Sequence, residues 1–295
     1  MSLLGTGTAT NPTEASGTND STPSSGHRKL LISLGTSGTV MTSSSVPLLD
    51  RGEGIVSSFC DVAGNYLPLV CLQNCTGVPE EIRSMYGVSD ESDRLSITKI
   101  TEMARVEAIG SEGITMLPYL SPGGERTPNW PHASGVLFGL RSGHLSRPGL
   151  LYRAALESIC YGLYRSYSYM RSLGLPVPDQ IILVGGGAKN SLWRQIIADV
   201  FQLPVSVIYG SVGGGSYTPY IGALGAAFQA MAVVKCLPVG EVASEQACVL
   251  ERQSLGSVTK EDLGVVPTPE LHAAYMQAYH QHIALADVLF KSKTV

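Results

Sequence analysis

Two short stretches of this chain combine glycine with hydroxyl and amide side chains at a spacing suited to holding phosphate. The first is IILVGGGAKNSLWRQIIADVFQL, Ile181 to Leu203. Ile181 to Val184 are apolar and mostly β-branched, which predicts a short buried strand. Gly185, Gly186 and Gly187 follow at once, and glycine accepts positive φ and brings backbone close to a ligand without a Cβ in the way. Asn190 or Ser191 can cap a helix, and Leu192, Ile196, Ile197 and Val200 recur at helical spacing. A strand, a glycine turn and a helix N-terminus in this order let amide N–H groups face a nucleotide. The same order also serves as an ordinary strand-to-helix connection in which glycine allows tight packing. It lacks the last glycine and the distant acidic residue of the dinucleotide fingerprint, and Lys189 has no Walker frame before it. The second stretch is Gly35 to Gly38, GTSG, inside KLLISLGTSGTVM (Lys29 to Met41). Apolar flanks and paired glycines predict a hairpin. Thr36 and Ser37 at its tip can hold phosphate oxygens through N–H and O–H donors, although a plain hairpin turn has the same appearance.

A third stretch, SPGGERTPNWP at 121–131, places Glu125, Arg126 and Trp130 among turn-forming residues. Long polar loops often carry function. The alternative is a surface loop stabilised by an Arg–Glu pair.

The elements that must position these stretches follow from periodicity. Ile55 to Cys60 and Tyr66 to Leu72 read as strands around the turn Ala63–Gly64–Asn65. Val78 to Tyr86 reads as a short helix with Pro79 in its first turn, Ile97 to Ile109 as a second helix, and Ile114 to Leu120 as a strand. Pro148 to Leu173 is the longest helix, and its wide apolar stripe predicts packing on more than one side. Its tyrosines 161, 164, 167 and 169 are assigned to packing. Val205 to Tyr209 reads as a strand, followed by the loop GSVGGGSYTP and a helix over Pro219 to Val234. Thr268 to Phe290 is a final amphipathic helix with Leu271, Tyr275, Tyr279, Ile283 and Ala286 on one face. His280 and His282 are assigned to its solvent side. Strands first and then alternating helix and strand imply one α/β domain with a mixed sheet over residues 29–295. Residues 1–28 are rich in Gly, Thr, Ser, Asn and Pro and read as a flexible low-complexity tail.

A net charge of −4 gives no electrostatic case for nucleic acid or a membrane surface. No apolar run reaches transmembrane length, and the polar N-terminus is not a signal peptide. The cysteines at 60, 71, 75, 160, 236 and 248 lie in apolar surroundings, as expected of buried thiols in a reducing compartment such as the cytoplasm. Cys71 and Cys75 have no second Cys/His pair to complete a zinc site, so no protein-held metal is expected.

In combination, three stretches resemble the FGGY family of carbohydrate kinases: ISLGTSGTV at 32–40, LPYLSPGGERTPNWPHASGVLFGL at 117–140 and ILVGGGAKNSLWRQIIADVFQLPV at 182–205. Within that family the wording is closest to the xylulose kinases. The resemblance implies an actin-like ATPase (ribonuclease H-like) lobe whose mixed sheet is flanked by helices. It implies ATP and Mg2+ as cofactors and transfer of the γ-phosphoryl of ATP to D-xylulose, giving xylulose 5-phosphate. It places Gly35, Thr36 and Ser37 at the β- and γ-phosphates and Gly186, Gly187, Ala188 and Asn190 around adenine and ribose. A carboxylate would take the hydroxyl proton.

Three departures qualify these expectations. No N-terminal sugar-binding lobe with its DxGT-type hairpin precedes residue 30. The family's catalytic aspartate position falls on Thr10 of ATNPTEASG, a side chain that cannot act as a base near neutral pH, and neither Glu14 nor Asp20 is in register to replace it. Leu150 and Tyr220-Ile221-Gly222 stand where the family carries a polar residue and an acidic entry. The expectation is therefore a C-terminal, nucleotide-binding lobe that is inactive alone and meets a pentulose only when an N-terminal lobe is supplied. A catalytically dead lobe that binds nucleotide or a partner is the alternative. Homodimerisation is left open.

Overall fold

Alternation sets the first strand. In β1 (Lys29–Leu34), Leu30, Ile32 and Leu34 are fully buried while Leu31 and Ser33 are half-buried, the period of two that one covered face requires. The chain turns at residues 35–37 and returns as β2 (Gly38–Met41), antiparallel, with Leu34 opposite Gly38. A second hairpin, β3 (Ser57–Cys60) and β4 (Tyr66–Leu72), joins through β4 to β2, with Gly38 opposite Leu72. Then come α1 (Gly77–Ser84), α2 (Ile97–Arg105) and a separate two-stranded hairpin of β5 (Thr115–Leu117) and β6 (Val136–Phe138). The second half is α3 (Pro148–Ser172), β7 (Gln180–Val184), α4 (Ser191–Phe201), β8 (Val205–Val207), the short pair β9 (Ser211–Val212) and β10 (Gly215–Ser216), α5 (Ile221–Val234) and α6 (Pro269–Phe290). The computed structural model describes residues 28–61, 64–86, 95–207, 211–212, 215–216, 221–235 and 264–291.

The main sheet runs β3-β4-β2-β1-β7-β8. β7 lies parallel to β1 and β8 parallel to β7, so an antiparallel half is fused to a β7–α4–β8 crossover. This is the mixed α/β sheet expected from the order of the elements. Helix α3 is its axle. All its residues from Gly149 to Tyr161 are buried, because it packs on α1, α2, α4, the sheet and α6. Glycine makes two of these approaches feasible: a Cβ on Gly149 would lie 2.5 Å from the Met103 carbonyl carbon, and one on Gly162 would lie 2.6 Å from Leu72 Cδ2. The tyrosines of α3 pack as expected. The Tyr164 ring stands edge-on to Phe201 and Tyr279 at 5.2 and 5.1 Å, and Tyr169 donates its hydroxyl proton to Asp50.

Several elements are shorter than periodicity suggests. α2 stops at Arg105, and Gly110, Ser111, Glu112 and Gly113 then all adopt positive φ. β5 stops at Leu117, where Pro118 has no N–H to continue the ladder. The tail up to residue 27, the strand end at 208–209, Pro219, Tyr220 and most of GSVGGGSYTP fall outside the described residues, as do Cys236 and Cys248. Cys60 departs from the buried-thiol expectation: it ends the edge strand β3 and is exposed. No helix among the described residues is long and apolar enough to cross a membrane.

The final helix corrects one assignment. His280 is exposed, but His282 is buried and Leu271 is exposed. The inward stripe is Tyr275, Tyr279, His282 and Ala286, steps of four, three and four residues, so His282 and not Ile283 continues it. His282 packs against Tyr161, with ring centroids 5.6 Å apart. Burial, and after it the Arg165 charge, lower its pKa to about 3 from 6.5. Between those values the unfolded chain binds a proton that the folded chain refuses, so stability falls as pH drops through the window. From this group the unfolding free energy measured by urea denaturation is expected to decline on acidification below pH 6.5, by up to about 1.4 kcal/mol per pH unit. In His282→Gln the same decline should be shallower, and equal slopes would remove His282 as its source.

Candidate functional site

The parallel pairing of β1 with β7 decides where the two glycine stretches sit. Ser33 lies opposite Val184, so the two strands end side by side, and residues 35–37 and 185–187 leave the sheet at the same edge. Gly185 has φ +90°, and a Cβ there would lie 2.6 Å from the Leu34 carbonyl oxygen. A Cβ on Gly187 would lie 2.7 Å from Leu34 Cβ and 2.8 Å from the Trp193 ring. The corner is thus packed on Leu34, the last residue of β1 before the hairpin tip. The crevice outside the carboxyl ends of parallel strands is where open α/β sheets bind ligands.

The predicted residues divide by exposure. Thr36, Ser37 and Gly186 are exposed, and Gly35 and Gly187 are half-buried. A Cβ on Gly186 would meet nothing within 4 Å. Ala188 is fully buried, with its carbonyl accepting from Arg194 Nη1 at 3.1 Å. The buried Asn190 is the cap of α4: its Oδ1 accepts from Trp193 N at 3.1 Å, and its Nδ2 donates to Thr101 Oγ1 and Tyr152 OH at 3.0 and 3.3 Å. The side chains of Ala188 and Asn190 therefore brace the corner from behind and do not line its surface, because capping and packing use them up. Thr10, Glu14 and Asp20 lie outside the described residues.

A third element meets the tip. Thr76 N and Thr76 Oγ1 both donate to the Gly35 carbonyl, at 3.1 and 2.8 Å, so α1 begins against the hairpin, with the exposed Gly77 at its first position. A Thr directly before a helix ordinarily signals an N-cap. Here Thr76 is already helical (φ −62°, ψ −21°) and caps nothing, so the local signal existed but pointed to a different role. Beneath the tip, a Cβ on Gly38 would lie 3.4 Å from Cys75 Sγ. Burial pushes that thiol up to about 12, which keeps it neutral and without nucleophilic use. On the rim, Lys189 is exposed, and Arg105 donates to Ser191 Oγ at 2.7 Å beside the start of α4.

The 121–131 loop is neither a plain surface loop nor the site of an Arg–Glu pair. Glu125 is buried and takes its donors from backbone and amide N–H groups, whereas Arg126 is exposed. Trp130 is buried with Leu117, Tyr119, Ala133 and Ala286 in a second small core, and the Arg165 guanidinium lies 5.0 Å above its ring. Two cavities, of about 330 and 350 Å³, lie beside Trp130 and beside Met85, and neither includes a residue of tip or corner. Among the described residues no three His, Cys, Asp or Glu side chains are grouped to hold a metal ion.

Residues 30–233 match the C-terminal domain of the FGGY family of carbohydrate kinases. The chain belongs to the FGGY family. This FGGY chain is 35% identical over 200 residues to the xylulose kinase of Haemophilus influenzae, covering 68% of the chain and 36% of that relative. It is 29% identical over 185 residues to the gluconokinase of Bacillus subtilis, covering 61% of the chain and 35% of that relative. Among solved structures it is similar to xylulose kinase from Rhodospirillum rubrum, with a TM-score of 0.66 and 22% identity over 88% of the chain and 47% of that structure. The architecture is that of FGGY sugar kinases, an actin-like ATPase fold. The chain spans about a third of the length of the curated relatives it matches.

Proposed function

We propose that this chain binds MgATP in the crevice between hairpin tip and glycine corner, as the nucleotide side of a carbohydrate kinase of the xylulose kinase type. The observation that carries the reading is the packing of the glycine corner on Leu34, the residue from which the hairpin tip springs, with Gly186, Thr36 and Ser37 left exposed. In this reading N–H and O–H donors of Thr36 and Ser37 take the β- and γ-phosphates, Gly35 brings the backbone close to them while its own N–H closes the turn on the Ser37 carbonyl at 3.2 Å, and adenosine lies along the backbone of Gly186 and Gly187. Ala188 and Asn190 act through the shape they give the corner. Phosphoryl transfer asks the protein chiefly to position groups and to stabilise charge, and backbone donors at strand ends suit that task. Mg2+ would arrive on the nucleotide's phosphates, its commonest mode of binding at such sites.

D-Xylulose is the acceptor we favour, since relatives at 33–35% identity are xylulose kinases; gluconate is the comparison substrate, because gluconokinases also match, at 29 and 31%. A cytoplasmic location suits a kinase that draws on ATP. With Thr10 where the resemblance expects the base, we propose that the chain alone binds ATP without turning it over. It then acts as the nucleotide lobe of a larger assembly or as a binding lobe without catalysis.

Gly186→Val tests the placement. A Cβ there meets no protein atom within 4 Å and the position is exposed, so the melting temperature is expected to change little, while ATP affinity by calorimetry falls by about tenfold or more. Absence of ATP binding to the unaltered chain would overturn the reading, and so would a Gly186→Val chain that binds ATP equally well. Phosphorylation of D-xylulose by the chain alone would remove the claim of inactivity.

A further inference from the structure

We infer that Glu125 is a positioning residue for the hairpin tip: acting through Asn74 and Thr76, it sets where the backbone of Gly35, Thr36 and Ser37 stands. Its consequence for phosphate binding rests on the nucleotide reading above. Glu125 is 1% exposed, and its carboxylate draws donors from two directions. Arg126 N and Thr127 N approach Oε1 from its own loop at 2.7 and 3.3 Å. Gln73 N reaches Oε1 at 2.6 Å from the β4–α1 connection. Asn74 N and Asn74 Nδ2 reach Oε2 at 3.3 and 3.0 Å. Asn74, itself 3% exposed, closes the clip by donating to the Gly124 carbonyl at 3.0 Å and accepting from Ser121 N at 2.7 Å.

Two residues further on, Thr76 grips the Gly35 carbonyl with both N–H and O–H. The intervening Cys75 is 1% exposed and wedged against Gly38, so the short Asn74-Cys75-Thr76 segment has no slack to absorb a shift. One face of the segment is clamped by Glu125 and the other holds the tip. Only a carboxylate suits this place. Both of its oxygens accept, and a glutamine in either orientation would turn its own N–H groups toward N–H donors. A buried charge is tolerated when it is this fully hydrogen-bonded. The competing account is that Glu125 merely staples the 121–127 loop and the tip ignores it.

The test uses amide chemical shifts of the nucleotide-free chain, together with calorimetry for ATP, in Glu125→Gln, Thr76→Val and the double variant. Glu125→Gln is expected to move the amide resonances of Thr76, Gly35, Thr36 and Ser37, although residue 125 touches none of them. ATP binding should weaken by about tenfold, the scale of one misplaced charge-assisted hydrogen bond. Thr76→Val should weaken it similarly, and the double variant should do no more than either single one, as expected of one chain of contacts. Tyr169→Phe, which loosens the Asp50 loop instead, should leave ATP affinity unchanged. Shifts confined to residues 73–74 and 121–127, with the tip unmoved, would overturn the inference. Should Glu125→Gln fail to fold, Glu125→Asp, one methylene shorter and still charged, is read the same way. An unaltered chain that binds no ATP would sink the nucleotide reading alone, because the tip resonances still decide the coupling.

Discussion

Arg153→Ala is expected to lower the unfolding free energy by about 3–5 kcal/mol, as is usual when one member of a buried ion pair is removed. Arg153 and Glu157 face each other on one side of α3, Nε to Oε1 at 2.7 Å, with side chains 5% and 3% exposed. Arg153 also donates to Tyr275 OH at 2.9 Å and to the Ala104 carbonyl at 3.3 Å, tying α3 to α6 and α2. Glu157 accepts from Gly110 N and Ser111 Oγ. It thereby holds the left-handed run from Gly110 to Gly113, in which Ser111 and Glu112 take a conformation that side chains disfavour. Burial pushes the Glu157 carboxyl up, and Arg153 opposes that push. Without the arginine the carboxylate is left buried and uncompensated. Arg153→Met with Glu157→Leu should lose less than the sum of the two single changes, because no lone charge remains. It should not recover fully, because Gly110 N then lacks its acceptor. Urea denaturation of the four chains measures the cycle. An Arg153→Ala chain of unaltered stability would show that this pair does not hold the helices together.

The second large effect concerns Gly185. Gly185→Ala is expected to destabilise by about 2–5 kcal/mol: about 1–2 for an alanine held at φ +90°, and about 1–3 for a Cβ driven into the backbone of β1. The obstructing atoms are the Leu34 carbonyl oxygen and carbon at 2.6 and 2.8 Å, which cannot move without parting β1 from β7. Gly186→Ala, one position along, should change stability by no more than about 0.5 kcal/mol, as exposed positions usually do. Two adjacent and identical residues would then differ in role, one shaping the crevice and the other forming its surface. Thermal unfolding of both variants decides this. Equal melting temperatures would mean that the corner does not pack on β1 as described.

These contrasts show what was legible without coordinates. The strand Ile181 to Val184, the glycine turn and the cap at Asn190 are consequences of residues within a few positions of one another, and they stand where the spacing put them. The hairpin around Thr36 and Ser37 is local in the same sense. His282 was misplaced because several apolar stripes can be drawn on α6, and only its packing on Tyr161 selects one of them. The hydroxyl of Thr76, which no sequence pattern singled out for this role, grips the Gly35 carbonyl. Glu125 looked like the partner of its neighbour Arg126, yet it serves Asn74, 51 residues away.

By itself the sequence determined the order and type of the elements, the two glycine turns and, through three stretches of wording, the FGGY resemblance. Each of these is written in neighbours along the chain, where backbone conformation and side-chain period act directly. The tertiary structure alone decided that β7 docks parallel to β1, that the glycine corner presses on Leu34 at the foot of the hairpin tip, and that Gly186 faces outward while Ala188 and Asn190 face inward. Those outcomes depend on which distant surfaces win the competition for burial, and no local pattern encodes the winner.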